Sequence, residues 1–313
     1  MHEIIIFTWG KFQGGHHHIY ADEIGQGDPN LFRTKALPTK NFSDGFASAV
    51  VLSGNWTFYK KIDFIEPYDK VLTDDDGNPV IDANGDQVMV PITLTPGVYK
   101  LISDEGLPLY DILSIKLEAT AAEAVISEII LFDHINFQGS HHHLFATDQF
   151  DIHANLSNSW FNNITSSIIV KRGIWELYDG YECSAALFNI LGPGMYSNVD
   201  VAGYFIDDIS SLKRDSDCPE IKLNEIILFD HQQFGGKHHH IFTQDKDLTK
   251  SGISDKLYSI IVKSGRWAFY NEKNFASLYS TKSGDPIKLS KGRYDDISDE
   301  FVDLEAVSSV RQL

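Results

Sequence analysis

Residues 128–145 read EIILFDHINFQGSHHHLF, and the same wording returns at 225–242 as EIILFDHQQFGGKHHHIF and at 3–20 as EIIIFTWGKFQGGHHHIY. The chain is a threefold repeat marked by His16-His17-His18, His141-His142-His143 and His238-His239-His240. A recurring unit of this length is a domain rather than a solenoid turn. Further landmarks follow in fixed order. An apolar run leads to a tryptophan in SAVVLSGNWTFY (48–59), SSIIVKRGIWELY (166–178) and YSIIVKSGRWAFY (258–270). Then comes Gly-x-Tyr at Gly97-Val98-Tyr99, Gly194-Met195-Tyr196 and Gly292-Arg293-Tyr294.

The spacing of the repeat predicts domains near 1–119, 126–216 and 223–313 of the 313 residues, each long enough for its own core. The joints 118–123 and 215–220 are charged or broken by Pro219, as exposed linkers are. The first copy is longer, and its surplus, LTDDDGNPVIDANGDQVMV, carries Asp76-Gly77 and Asn84-Gly85. Such pairs join antiparallel strands, so an extra hairpin is expected near 72–93. An EF-hand loop at Asp82, Asn84 and Asp86 fails, because the flanks are strand-like and no glutamate closes a twelve-residue loop.

Short β-rich runs such as 4–7, 168–170 and 260–262 alternate with Gly, Pro, Asn and Asp clusters, and sustained helical periodicity is almost absent. This predicts an all-β chain of antiparallel sandwiches, most economically Greek keys. Each repeat also echoes itself. In the middle copy the first half opens on Ile130-Leu131-Phe132 and Phe137-x-Gly139, and closes on 162–168. The second half opens on Trp175-Glu176-Leu177-Tyr178 and closes on 206–212.

The aromatic-x-x-x-x-Phe-x-Gly opening, the Trp start of the second half and the Asn/Asp-Asn/Asp-x-x-Ser/Thr-Ser stretch resemble the βγ-crystallin superfamily, specifically its microbial calcium-binding branch. The resemblance spans essentially the whole chain. It implies three tandem βγ-crystallin-like Greek-key β-sandwich domains of two motifs each, and a non-enzymatic, structural or stress-related protein stabilised by calcium. In the family scheme each domain carries two sites, and each site draws ligands from both halves of the domain. Carried over, Asn162, Asn163 and Ser166 would act with Asp207, Asp208 and Ser210. Residues Ile164 and Asp208 would supply backbone carbonyls, with further carbonyls near Asp133 and Asp179.

Calcium needs about six to eight oxygen ligands, and the copies differ in what they offer. In the second half of the middle copy Ile206 takes the first Asn/Asp place. In the third copy 254–259 has Tyr258 at the hydroxyl place, while 304–309 keeps Glu305 and Ser308. In the first copy Ala47 and Leu113 stand where ligating hydroxyls belong. Binding is therefore expected mainly in the middle domain. The last serine of each stretch persists where the other ligands have gone, so it is expected to close a turn.

Imidazole prefers zinc, nickel or copper to calcium, so the triplets suggest a softer metal, while duplication alone accounts for their recurrence as ordinary strand residues packing flat rings. On a strand His16 and His18 share one face and His17 takes the other. Two ligands fall short of a tetrahedral site, and the third is expected from His134, His231 or a neighbouring chain.

A formal charge of −18, from 44 acidic and 26 basic residues, opposes nucleic acid and anionic membranes and favours cations. Cys183 and Cys218 are the only cysteines, leaving at most one disulfide. Met1-His2 runs directly into an apolar strand without the basic start of a signal peptide, and no stretch approaches a membrane span. A soluble chain without membrane insertion is expected, cytoplasmic or exported by another route. No catalytic motif is present, and no protein or glycan partner is specified. The competing reading is a carbohydrate-binding or surface-interaction module that uses aromatic and histidine-bearing sheet faces; Trp56, Trp175 and Trp267 could stack sugars, but their repeated place at the head of a strand points to core or domain packing.

Overall fold

The computed structural model describes residues 1–37, 40–153, 155–185, 187–199, 209–253, 256–280, 284–297 and 307–313. Among them the elements are antiparallel strands joined by short 3-10 turns. No helix of the described residues is long and apolar enough to cross a membrane. The chain divides into two compact units, Met1–Ile126 and Ser127–Leu313.

The first unit is a sandwich of two four-stranded sheets. One has the order Gly97–Tyr99, Ser48–Val51, His2–Trp9, Gln13–Ala21. The other has the order Thr93–Leu94, Asn55–Tyr59, Ser114–Ala119, Gly27–Asp28. Each half of the repeat lends one strand to the sheet of the other half, Gly27–Asp28 in one direction and Gly97–Tyr99 in the other. That exchange is the Greek-key crossover. Residues 69–91 form a separate exposed ribbon, in which Asp69–Val71 pairs with Met89–Pro91. Its tight turns are organised by Asp74 and Asp82, whose Oδ1 atoms accept backbone N–H bonds from Asn78 (2.8 Å) and Asn84 (2.8 Å).

The second unit repeats this pattern. Strands His141–Ala146, Ser127–Phe132, Ser167–Arg172 and Gly194–Tyr196 form one sheet; Ile152–His153, Ser211–Ser216, Ile174–Tyr178 and Leu187–Leu191 form the other. In the last third of the chain one long strand, Ser259–Tyr270, runs through both layers. It pairs with Ile226–Phe229 at its start and Ser309–Gln312 at its end, joining the layers into a six-stranded sheet.

The run IILF that follows the glutamate is apolar at every position rather than alternating because both faces of its strand are covered. Ile129 and Leu131 enter the core of the middle sandwich with Trp175, Leu177 and Leu212. Ile130 and Phe132 point the other way and pack with Ile169, Phe242 and Leu223, so the second and third repeats share a second apolar layer. Each such side chain contributes about 1.5–3 kcal/mol by leaving water.

Candidate cation sites

The closing serines fix the backbone around which any cation site must form. After the first strand of each half, two consecutive residues adopt left-handed conformations: Lys11-Phe12, Asp63-Phe64, Asn136-Phe137, Glu182-Cys183, Gln233-Phe234 and Asn274-Phe275, with φ between 52° and 62°. Side chains pay for this conformation sterically, so something must hold it. In every case a wholly buried serine does. Ser167 donates to His134 O (2.6 Å) and accepts from Phe137 N (2.9 Å). Ser48, Ser259 and Ser309 repeat the clasp on Trp9 O, His231 O and Glu272 O, each at 2.6 Å. Ser114 clasps Lys61 O and Ser211 clasps Gly180 O. In five of these folded hairpins the phenylalanine then meets the aromatic ring five residues back, edge to face at 5.4–5.9 Å. Cys183 occupies the phenylalanine position in the sixth.

The serine just before the clasp faces elsewhere. Ser166 Oγ lies 3.0 Å from Asp133 O, and Ser210 Oγ lies 3.1 Å from Asn163 Oδ1. Asn163 is itself left-handed (φ 58°) and its N–H donates to Ile209 O (3.2 Å), which ties the two halves of the middle repeat together. Asn162 Oδ1 and Thr165 Oγ1 are buried and have no hydrogen-bond partner among the described residues. Ile164 is about 39% exposed at the apex of this loop, which leaves its backbone within reach of solvent. Asp207 and Asp208 lie outside the described residues.

The donor set fits a hard cation. Two oxygens each about 2.4 Å from one calcium ion, at the ligand spacing of a seven-coordinate shell, lie about 2.8–3.0 Å apart. The Ser166–Asp133 and Ser210–Asn163 pairs, each joined here by a hydrogen bond, lie at nearly that separation.

The first copy is poorer. There, Asp44 is spent on its own turn, accepting from Asn41 N at 3.1 Å, and Ala47 offers only its backbone. In the third, Ser254, Asp255, Leu304, Glu305 and Ala306 lie outside the described residues, as does Ile206 of the second.

The histidine triplets split between two faces. His142 pairs in register with Leu131 and stacks on Phe161 at 5.8 Å, inside the middle sandwich. Its first-repeat counterpart His17 lies 3.4 Å from Asp28, and its third-repeat counterpart His239 lies 3.1 Å from Asp245. His141 and His143 share the opposite face with Phe132 and Ile130. His134 and His231 do not join them. Both are exposed and hydrogen-bonded to the aspartate preceding them, His134 to Asp133 (2.8 Å) and His231 to Asp230 (2.7 Å).

Sequence reading passed over the glutamate that opens each phrase. Glu3, Glu128 and Glu225 are nearly buried and grip the last histidine of their own triplet, at 2.6, 2.7 and 2.6 Å to Nδ1 of His18, His143 and His240. Its recurrence at one fixed distance from the triplet was the available signal. Lys171 reaches Glu128 (3.0 Å) and Glu225 (3.7 Å), and Lys263 reaches Glu225 (3.4 Å). Burial pushes the Glu128 carboxyl up, but Lys171 and His143 outweigh burial and hold it below the usual carboxylate range.

Trp56, Trp175 and Trp267 are fully buried. Each indole N–H donates to the carbonyl three residues earlier, of Ser53 (2.9 Å), Arg172 (3.0 Å) and Ser264 (2.9 Å). They lock the entry to the second half and present no ring face to a sugar. Cys183 and Cys218 are free thiols.

Paired Greek keys with serine-clasped folded hairpins define a class of double-motif β-sandwich proteins. The beta/gamma crystallin family profile matches residues 128–214 and 225–313, more than half of the chain, and the chain belongs to that family. Human Beta-crystallin B2 is 28% identical over 200 residues, covering 63% of this chain and 89% of the relative. A beta/gamma-crystallin of Ciona intestinalis is 34% identical over 90 residues, covering 29% of this chain and 99% of its own. The solved structure of an archaeal betagamma-crystallin is 31% identical, with a TM-score of 0.25, covering 29% of this chain and 100% of its own. The chain is thus a beta/gamma crystallin-like structural protein.

Proposed function

We propose that this protein is three tandem domains, near 1–119, 126–216 and 223–313, and that it binds calcium chiefly through the middle one. Side chains of Asn162, Asn163, Ser166, Ser210, Asp207 and Asp208 and carbonyls of Ile164, Asp208 and Asp133 supply the ligands, divided between two sites that each draw on both halves of the domain. The observation that carries the reading is the oxygen pairing across the two halves, Ser210 Oγ at 3.1 Å from Asn163 Oδ1, next to Asn162, whose buried Oδ1 has no partner among the described residues. A buried acceptor without a donor costs about 1–3 kcal/mol, and a cation offsets that cost.

The ion supplies cross-linking of the two halves rather than chemistry, so the protein's role is structural. Because the native fold alone assembles the ligands, calcium adds directly to stability, by about 2.7 kcal/mol at a hundredfold excess over the dissociation constant. Thermal melting in chelator and in millimolar calcium tests this. A raised melting temperature in calcium is expected, and identical curves would overturn the proposal.

A further inference from the structure

The face where the second and third repeats meet carries more than apolar packing. His141 Nε2 lies 3.1 Å from His238 Nε2. The rings of His141 and His240 are 4.8 Å apart, and those of His143 and His240 are 4.9 Å apart. One ring nitrogen from each of His141, His143 and His240 lies within 4.8 Å of the other two. His143 and His240 are 1% exposed, so these imidazoles are shielded from water.

Chemistry distinguishes this cluster from stacked rings that merely fill space. Glu128 and Glu225 take Nδ1 of His143 and His240. A neutral ring whose Nδ1–H donates to a carboxylate carries its lone pair on Nε2. Such carboxylate–histidine pairs orient metal ligands and raise their basicity. Tetrahedral Zn–N bonds of about 2.0–2.1 Å place ligand nitrogens about 3.4 Å apart. The 3.1 Å pair lies near that spacing, and the nitrogens of His141, His143 and His240, each within 4.8 Å of the other two, need to close by up to about 1.4 Å.

We propose that His141, His143, His238 and His240 form a buried site for a late divalent transition metal such as Zn2+, with Glu128 and Glu225 behind it. The metal would pin the third repeat to the second, at a place unrelated to the oxygen ligands of the calcium reading. Imidazole nitrogen selects zinc, nickel or copper over calcium, so the two sites load independently.

Titration of the full, untagged chain with Zn2+ in saturating calcium tests the proposal. One equivalent is expected to bind, and Co2+ is expected to give the intense visible bands of a tetrahedral ion. His141→Gln and His240→Gln are expected to weaken zinc by at least about tenfold, and Glu225→Gln by about tenfold through loss of ligand orientation. The double variant His134→Gln/His231→Gln, which alters only exposed rings, is expected to leave affinity unchanged. Should the buried variants fail to fold, the cobalt spectrum of the unaltered chain decides. Absence of zinc uptake, a weak octahedral cobalt spectrum, or uptake abolished in the His134/His231 variant would overturn the proposal.

Discussion

Ser210 Oγ lies 3.1 Å from Asn163 Oδ1, across 47 residues of chain, and the contact joins the two Greek keys of the middle repeat. One residue further on, Ser211 turns inward and clasps its own folded hairpin at Gly180 O and Cys183 N. Adjacent serines thus divide the work: one is placed among candidate ligands, and the next holds the backbone that places it.

That division predicts opposite mutant behaviour. Ser167→Ala removes the partner of both the Phe137 N–H and the His134 C=O, two part-buried bonds, which costs about 2–3 kcal/mol. Chemical denaturation in chelator is the measurement. Ser166→Ala gives up one partly buried bond and is expected to cost about 1 kcal/mol or less in chelator, while losing the gain in calcium. Equal losses for the two variants in chelator would contradict the assignment.

Gly139 has φ +80°, and a Cβ there would sit 1.8 Å from Asp133 Oδ1. That oxygen also accepts the Ser140 N–H at 2.8 Å. Gly139→Ala is expected to destabilise by about 3 kcal/mol, combining left-handed strain with the displaced carboxylate. It should also weaken calcium, because the Asp133 carbonyl moves with its side chain. Melting curves with and without calcium read both effects.

Acid sensitivity should begin near neutrality. Burial lowers His153 from 6.5 to about 4, against the opposing bond from its ring to Phe145 O (2.8 Å). The unfolded chain binds this proton at higher pH than the folded one. Stability is therefore full above pH 6.5, declines below it, and levels off near pH 4, a change on the order of 3 kcal/mol. His142, lowered to about 3 by burial and His143, acts in the same direction over a longer window. His153→Gln, whose amide can still donate to Phe145 O, should flatten the stability profile between pH 6.5 and 4. An unchanged slope would contradict this.

The fold was largely legible because repetition replaced propensity. Three copies of one phrase located the strands, and the strand period put His141 and His143 on one face with His142 on the other. The closing serine was identifiable because it outlived its neighbours in the degenerate copies. What linear sequence hid was long-range pairing. Nothing near His143 announces that His240, 97 residues later, faces it, since that contact depends on how two sandwiches pack through Phe132, Ile130 and Phe242. His134 and His231 lie only a few residues from their triplets, yet their aspartate partners keep them at the hairpin surface. Asp207 and Asp208, the carboxylates of the calcium reading, rest on sequence alone.

Calorimetric titration of the full chain with calcium, after chelator treatment, tests the central claim most directly. Saturable uptake is predicted for the parent and for Asp82→Ser, which alters only the exposed ribbon turn. Uptake is predicted to fall sharply in Asn163→Ala and Ser166→Ala. Uptake that survives both of those substitutions, or none in the parent, would contradict a calcium site in the middle repeat.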